Sequence, residues 1–159
     1  RSYKQIIVDI ANDLNVNVVV EVGCGLGEIV SRVKSDNRYG IDVNKEVISA
    51  ANHLYSHKVK FLVGSFEKIL EIEDSKVDLL ICVNWIHGLE PQSLTNSIMN
   101  LIDKNKVHYL LFDRIRKEQA NYKFKHDFEA YFGNVTKKIS SFQSGKEGVR
   151  TLELFEVLS

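Results

Sequence analysis

What the chain lacks narrows the field first. It carries no net charge, 21 Lys and Arg balancing 21 Asp and Glu over 159 residues. Tight non-specific nucleic-acid binding draws most of its energy from neutralising phosphates with a basic surface, so a nucleic-acid partner is not expected. Cysteine is scarce: Cys24 and Cys82, with no paired spacing, indicate neither a disulfide framework nor a zinc motif. Such a pair suits a reducing, cytoplasmic setting. No uninterrupted apolar stretch approaches the ~18 residues of a membrane-spanning helix. Repeats, low-complexity tracts and linkers are missing too, as is the low hydrophobicity with high net charge that marks disorder. What is there is 44% hydrophobic and 26% charged. At ~150 residues per domain, one domain spanning 1–159 is expected. The chain opens Arg1-Ser2-Tyr3 without Met. A longer gene product is therefore expected, in which a targeting segment or substrate lid precedes Arg1.

The remainder alternates between strand and helix patterns. Ile6, Ile7, Ile10 and Leu14 follow helical spacing. Val16–Val22 is β-branched and nearly all apolar, as a strand buried on both faces should be. Gly23, Gly25 and Gly27 break it, after which Ile29, Val30 and Val33 predict a helix opening near Gly27. Tyr39–Asp42 reads as a second strand, and Asn44 caps a helix whose inner face carries Val47, Ile48, Ala51 and Leu54. Val59–Val63 is a third strand, with Ser65 as the cap of a brief helix, and Val77–Val83 a fourth. Pro91 opens a helix bearing Leu94, Ile98, Leu101 and Ile102, and Val107–Asp113 is the fifth strand. Phe124, Phe128, Tyr131 and Phe132 mark a last helix stopped by Gly133. Strands near 135–142 and 150–157 are joined by a turn at 144–148. The class is α/β: a doubly wound, mostly parallel sheet with an antiparallel closing hairpin.

In such a sheet ligands lie beyond the carboxyl ends of the strands, where strand order reverses. The first strand ends Glu21-Val22-Gly23-Cys24-Gly25-Leu26-Gly27, and Asp42 ends the second. Glycines let backbone N–H groups approach a ligand, and the following helix would aim its positive end into the same cleft. Asp42 can accept both hydroxyls of a ribose; the plainer alternative is that it caps the helix after it. A dinucleotide loop needs Gly or Ala where Glu28 stands, and Glu21 would repel a pyrophosphate. S-adenosylmethionine, with an ammonium, a sulfonium, a ribose and no phosphate, suits the charge pattern better.

These residues resemble class I S-adenosylmethionine-dependent methyltransferases. Glu21–Gly27 is similar to their E/D-x-G-x-G-x-G motif, Gly40-Ile41-Asp42 to their acidic second-strand end, and Asp74–His87 to the fourth-strand segment of small-molecule members. The resemblance implies a Rossmann-like, seven-stranded fold whose final strand is inserted antiparallel. It further implies that Glu21, Gly23 and Gly25 hold the methionine part, with Cys24 a small residue of the same loop, and Asp42 the ribose. Val43 would pack on the adenine, with Ser65 and Phe66 at its edge. Ser65 replaces a common Asp, so the bond to the adenine amine falls to backbone. Asn84 and Trp85 would face the reacting methyl, and Tyr3 would close the cleft.

Methyl transfer from a sulfonium is an in-line displacement, so holding the nucleophile ~3 Å from the methyl is the main task. A base is needed where the acceptor is a hydroxyl. His87, just past the fourth strand, is the catalytic candidate to reach the acceptor; otherwise it is a helix-start histidine bonded to backbone. Asp113 and Arg114 either orient substrate or simply pair. His53 and His57 have i, i+4 spacing without a third ligand, so no metal is expected. Arg114, Arg116, Lys117, Lys123 and Lys125 form a basic run, read as solvated surface or a place for an acidic substrate. The fourth-strand end, Asn84-Trp85-Ile86-His87, lacks the prolines of nucleic-acid amino-methylases. Without inserted caps, the acceptor site should be shallow or completed by a second copy, a partner chain or the segment ahead of Arg1. The expected activity is methyl transfer to a small molecule or glycan precursor at oxygen. The alternatives are a non-catalytic S-adenosylmethionine-binding module scaffolding a partner enzyme and, behind it, an NAD-dependent oxidoreductase.

Overall fold

A strand covered on both faces has no polar side to show, and β1, Val18–Val22, is buried at all five positions. A computed structural model describes residues 1–115, 122–145 and 150–159. Successive side chains of β1 alternate between two cores: Val18, Val20 and Val22 enter one, Val19 the other. The same alternation runs through β4, Val77–Cys82, where Leu80 and Cys82 oppose Leu79 and Ile81. The sheet has seven strands in the order β3-β2-β1-β4-β5-β7-β6. Its other members are β2 (Asn37–Asp42), β3 (Lys60–Val63), β5 (Val107–Ile115), β6 (Thr136–Ser144) and β7 (Arg150–Val157). β1 pairs in parallel with β2 and β4, while β7 runs antiparallel between β5 and β6. The expected doubly wound, mixed sheet is the one observed. Strand order reverses between β1 and β4, which opens a crevice at their carboxyl ends.

Helix α1 (Tyr3–Leu14), capped by the Ser2 side chain, packs Ile6, Ile7 and Ile10 on one face. α3 (Pro91–Asp103) and the short α4 (Phe128–Phe132) cover the other through Leu94, Ile98, Phe128 and Phe132. α2, Lys45–Tyr55, starts at Asn44, whose side chain accepts from the amides of Glu46 and Val47. Among the described residues no helix is long and apolar enough to cross a membrane.

Several local expectations are corrected. The helix expected to open near Gly27 is a single 3-10 turn, Val30–Arg32. Returning along a five-residue strand means covering about 16 Å. An α-helix rises ~1.5 Å per residue, so about eleven residues are needed. Only Glu28–Asp36 separates Gly27 from β2, and the chain meets the distance with a tight turn and an extended stretch. No α-helix therefore aims a positive end into the cleft from this loop. Leu54 is 49% exposed rather than on the inner face of α2, where Tyr55 packs instead. Ser65 makes no capping bond, although the brief helix expected after it is present as a 3-10 helix, Phe66–Glu71. Phe124 lies outside α4. Of the turn at 144–148, residues 146–148 lie outside the described residues, as do Arg116 and Lys117 of the basic run.

Candidate functional site

The carboxyl end of β1 turns through Gly23 at φ +73. There the Gly23 and Cys24 amides both donate to the Ile41 carbonyl, at 2.7 and 3.0 Å. The Gly25 amide donates to Asp42 Oδ2 at 3.0 Å. The glycine loop therefore turns three N–H groups toward β2, where the Ile41 carbonyl and the Asp42 carboxylate engage them, which corrects the expectation that they would meet a ligand. A phosphate cradle needs such amides free. This one has spent them on its own backbone and on a carboxylate.

Two cavities flank the loop. The larger, about 330 Å³, is lined by Tyr3, Glu21, Cys24, Val83 and Asn84 among others. The smaller, about 130 Å³, lies against Val22, Asp42, Val43, Gly64 and Ser65. Gly23 and Trp85 border both. Of the sequence candidates, these cavities thus gather Tyr3, Glu21, Gly23, Cys24, Gly25, Asp42, Val43, Ser65, Asn84 and Trp85. Phe66 is the exception. Its ring is buried in the core with its centroid 5.5 Å from that of Trp85, and it borders neither cavity.

Glu21 is 3% exposed, and its Oε1 has no partner among the described residues. Burial pushes this carboxyl up to about 8; the Val30 amide and the Lys4 charge pull the other way, while Asp42 and Glu28 add to the rise. Lys4 is drawn aside by Glu28, 2.6 Å from its Nζ. An orphaned acid facing a cavity is what a cationic ligand group requires. Asp42 closes the smaller cavity, with Oδ1 accepting the Asn44 amide at 2.9 Å. It is not the helix cap, which is Asn44 itself. Each carboxylate oxygen keeps a second lone pair for a ribose hydroxyl. Val43, 73% exposed, offers an apolar face beside it. The Cys24 thiol is pushed upward by burial and by the Glu21 and Asp42 charges, which makes it a small loop residue rather than a nucleophile.

Beyond the larger cavity lies a polar network. His87 and Asp113 are both fully buried, with His87 Nε2 2.9 Å from Asp113 Oδ1. His87 Nδ1 has no partner among the described residues. The expectation that His87 reaches an acceptor is therefore corrected: its ring lies beneath the cleft, against Tyr122 and His126. Nor do Asp113 and Arg114 pair with each other. Asp113 Oδ2 takes Arg150 Nη1 at 2.5 Å, and Arg114 bonds Glu153 at 2.9 Å over the Phe128 ring. Arg150 also lies over the Tyr3 ring at 4.3 Å. His53 and His57 are exposed, and no metal-holding cluster occurs among the described residues.

Asn84 connects this network to the cleft. Its backbone sits at φ 71, ψ −71, the rare γ-turn, closed by the Trp85 amide donating to Val83 O at 2.9 Å. The Asn84 amide donates to Asp113 Oδ1 at 2.9 Å, and the Tyr122 hydroxyl donates to Asn84 Oδ1 at 2.5 Å. Sequence reasoning missed Arg150, Tyr122 and Lys4. Lys4 had a local signal, being the neighbour of Tyr3 at the start of α1. Arg150 had none, because only the register that sets Ile115 beside Arg150 brings it to Asp113.

The family model described as a methyltransferase domain matches residues 15–155. No curated protein sequence matches. Among solved structures, magnesium protoporphyrin IX methyltransferase (ChlM) from Synechocystis PCC 6803 with bound SAM is 15% identical, with a TM-score of 0.73 over 99% of this chain and 80% of that one. The N-methyltransferase NodS from Bradyrhizobium japonicum WM9, in complex with S-adenosyl-L-homocysteine, is 14% identical, with a TM-score of 0.78 over 98% and 86%. An rRNA methylase from Streptococcus thermophilus is 13% identical, with a TM-score of 0.71 over 100% and 98%. At these identities the likeness is one of fold.

Proposed function

The chain belongs to the class I S-adenosylmethionine-dependent methyltransferases, and from that premise we propose that it methylates a small molecule or glycan precursor at a hydroxyl oxygen. It is an enzyme whose cofactor is S-adenosylmethionine, which sets aside the oxidoreductase and non-catalytic readings. When bound, that cofactor supplies an electrophilic methyl on a sulfonium. The observation that carries the reading is the inward turn of the Gly23, Cys24 and Gly25 amides, with a carboxyl left at each end of the cleft. On this reading Glu21 takes the ammonium and Asp42 the ribose hydroxyls. Val43 gives the adenine an apolar seat, and the Ser65 backbone meets its edge. Asn84 and Trp85 border the methyl end, and Tyr3 covers it.

Oxygen as the acceptor atom is supported by how the network already treats a hydroxyl. Tyr122 OH donates to Asn84 Oδ1 and accepts from Arg150 Nη2 at 3.1 Å. An acceptor hydroxyl arriving at Asn84 would take the place of Tyr122 on the same pair. Its oxygen gains the methyl as the sulfonium carbon–sulfur bond breaks, S-adenosylhomocysteine leaves, and the hydroxyl proton passes to cleft water. His87 and Asp113 enter as positioning residues: Asp113 Oδ1 accepts from the Asn84 backbone amide, and His87 Nε2 lies against the same oxygen. A small acceptor rather than a nucleic acid is supported by the zero net charge.

Titration calorimetry tests the cofactor site: S-adenosylhomocysteine binds and NAD does not. Asp42→Ala weakens binding by roughly 1–3 kcal/mol, about 5- to 150-fold, through loss of charge-assisted hydrogen bonds. An unchanged affinity would take Asp42 out of the site. Labelled methyl offered to panels of hydroxylated small molecules, sugar precursors, amines and RNA tests the acceptor, and transfer to amines or RNA alone would overturn the oxygen reading.

A further inference from the structure

Trp85 is the single tryptophan of the chain, and it stands across the cleft rather than along its wall. Its ring lies directly on Gly23, where a β-carbon would come within 2.0 Å of Cδ1. Its Nε1–H donates to the Val22 carbonyl at 2.6 Å. The ring borders both the cavity that holds Glu21 and the one that holds Asp42. A single molecule whose ammonium meets Glu21 and whose ribose meets Asp42 must cross the line from Gly23 to Trp85, and the indole occupies that line.

Resting on the cofactor reading above, we propose that Trp85 is a latch that divides the cleft in the free protein and must leave the Val22 carbonyl before S-adenosylmethionine can span both halves. The pivot is Asn84. A non-glycine residue held at φ 71, ψ −71 stores strain, and such strain persists only where its surroundings over-determine it. Here they do so from one side. Asp113 grips the Asn84 amide and Tyr122 its side chain, so the acceptor-side network is fixed, while the indole beyond it is held by one hydrogen bond and by packing on Gly23 and Phe66. Opening exposes the Val22 carbonyl to the cleft, where water can replace the indole N–H.

The chain carries its own reporter, since its tryptophan emission comes from the latch alone. Adding S-adenosylhomocysteine to the intact protein should shift that emission saturably, with the midpoint that calorimetry gives. In surface plasmon resonance, Trp85→Ala should associate with S-adenosylhomocysteine at least tenfold faster than the wild type, because the closed population no longer taxes entry. Trp85→Phe keeps a ring against Phe66 but lacks the N–H; it should fall between the two and covers the case in which the alanine variant folds poorly. Calorimetric binding with unchanged emission, or with wild-type association rates in both variants, would overturn the latch and leave the cofactor site intact. Absence of S-adenosylhomocysteine binding in every protein would instead overturn the cofactor reading, and the latch with it.

Discussion

A carboxyl buried beside a cleft avoids the cost of an unpaired charge by keeping its proton or by finding a cation. In the free protein Glu21 keeps the proton: its ordinary value of 4.5 rises to about 8, chiefly through burial, and Lys4 is engaged by Glu28. The consequence for stability has a definite sign. Between about 4.5 and about 8 the folded chain binds a proton that the unfolded chain has released. The contribution is therefore complete below about 4.5 and is lost as pH rises through about 8, with a slope approaching ~1.4 kcal/mol per pH unit. Denaturant midpoints from pH 5 to 8 should fall for the wild type relative to Glu21→Gln, and parallel curves would mean Glu21 is ionised throughout. A bound ammonium supplies the missing cation and expels the proton. At pH 7 the heat of S-adenosylhomocysteine binding should then differ between buffers of unequal ionisation enthalpy in the wild type, and not in Glu21→Gln.

Among the elements, the informative one is the turn that leaves β4. The sequence places Asn84 to His87 at the carboxyl end of that strand, and so near the cleft, because strand ends are legible from apolar runs bounded by polar residues. Depth was not legible. The γ-turn at Asn84 swings the following residues inward, so His87 is buried against Asp113 while Trp85 is left in the cleft. No local pattern encodes that reversal; it depends on an amide-to-carboxylate bond across two strands, Asn84 to Asp113. The glycine loop carries the same lesson. Its flexibility was legible from Gly23, Gly25 and Gly27, but the direction of its amides is set by Ile41 and Asp42 on the neighbouring strand. Asp113 is fully buried; among the described residues the Arg150 guanidinium lies on its Oδ2 and the His87 ring on its Oδ1. Removing one member of a buried pair strands the other. Allowing for the partly exposed guanidinium, Arg150→Ala should cost about 2–4 kcal/mol in a denaturant titration. A loss below about 0.5 kcal/mol would show the pair to be no more than a surface contact.

At the scale of the whole chain, the sheet was legible because burial on both faces writes itself as long apolar runs. The β1 and β4 strands announce themselves this way without help from any neighbour. The contact that ties the two chain ends together did not, because its partners come from opposite ends of the sequence. Tyr3 arrives from α1 and Arg150 from β7, and they meet at 4.3 Å. A ligand filling both cavities adds contacts to α1, the glycine loop and the turn after β4 together, and its binding must appear as stability of the fold. At a hundredfold excess over Kd, linkage adds ~2.7 kcal/mol, which for a chain of this size raises Tm by about 5–10 °C. S-adenosylhomocysteine, with groups for both Glu21 and Asp42, should produce that shift in a thermal melt. Adenosine, which can serve only the smaller cavity beside Asp42, should produce less than half of it at the same concentration. Equal shifts from the two ligands would mean that the larger cavity contributes nothing to binding, and Glu21 would then need another explanation for its unpartnered oxygen.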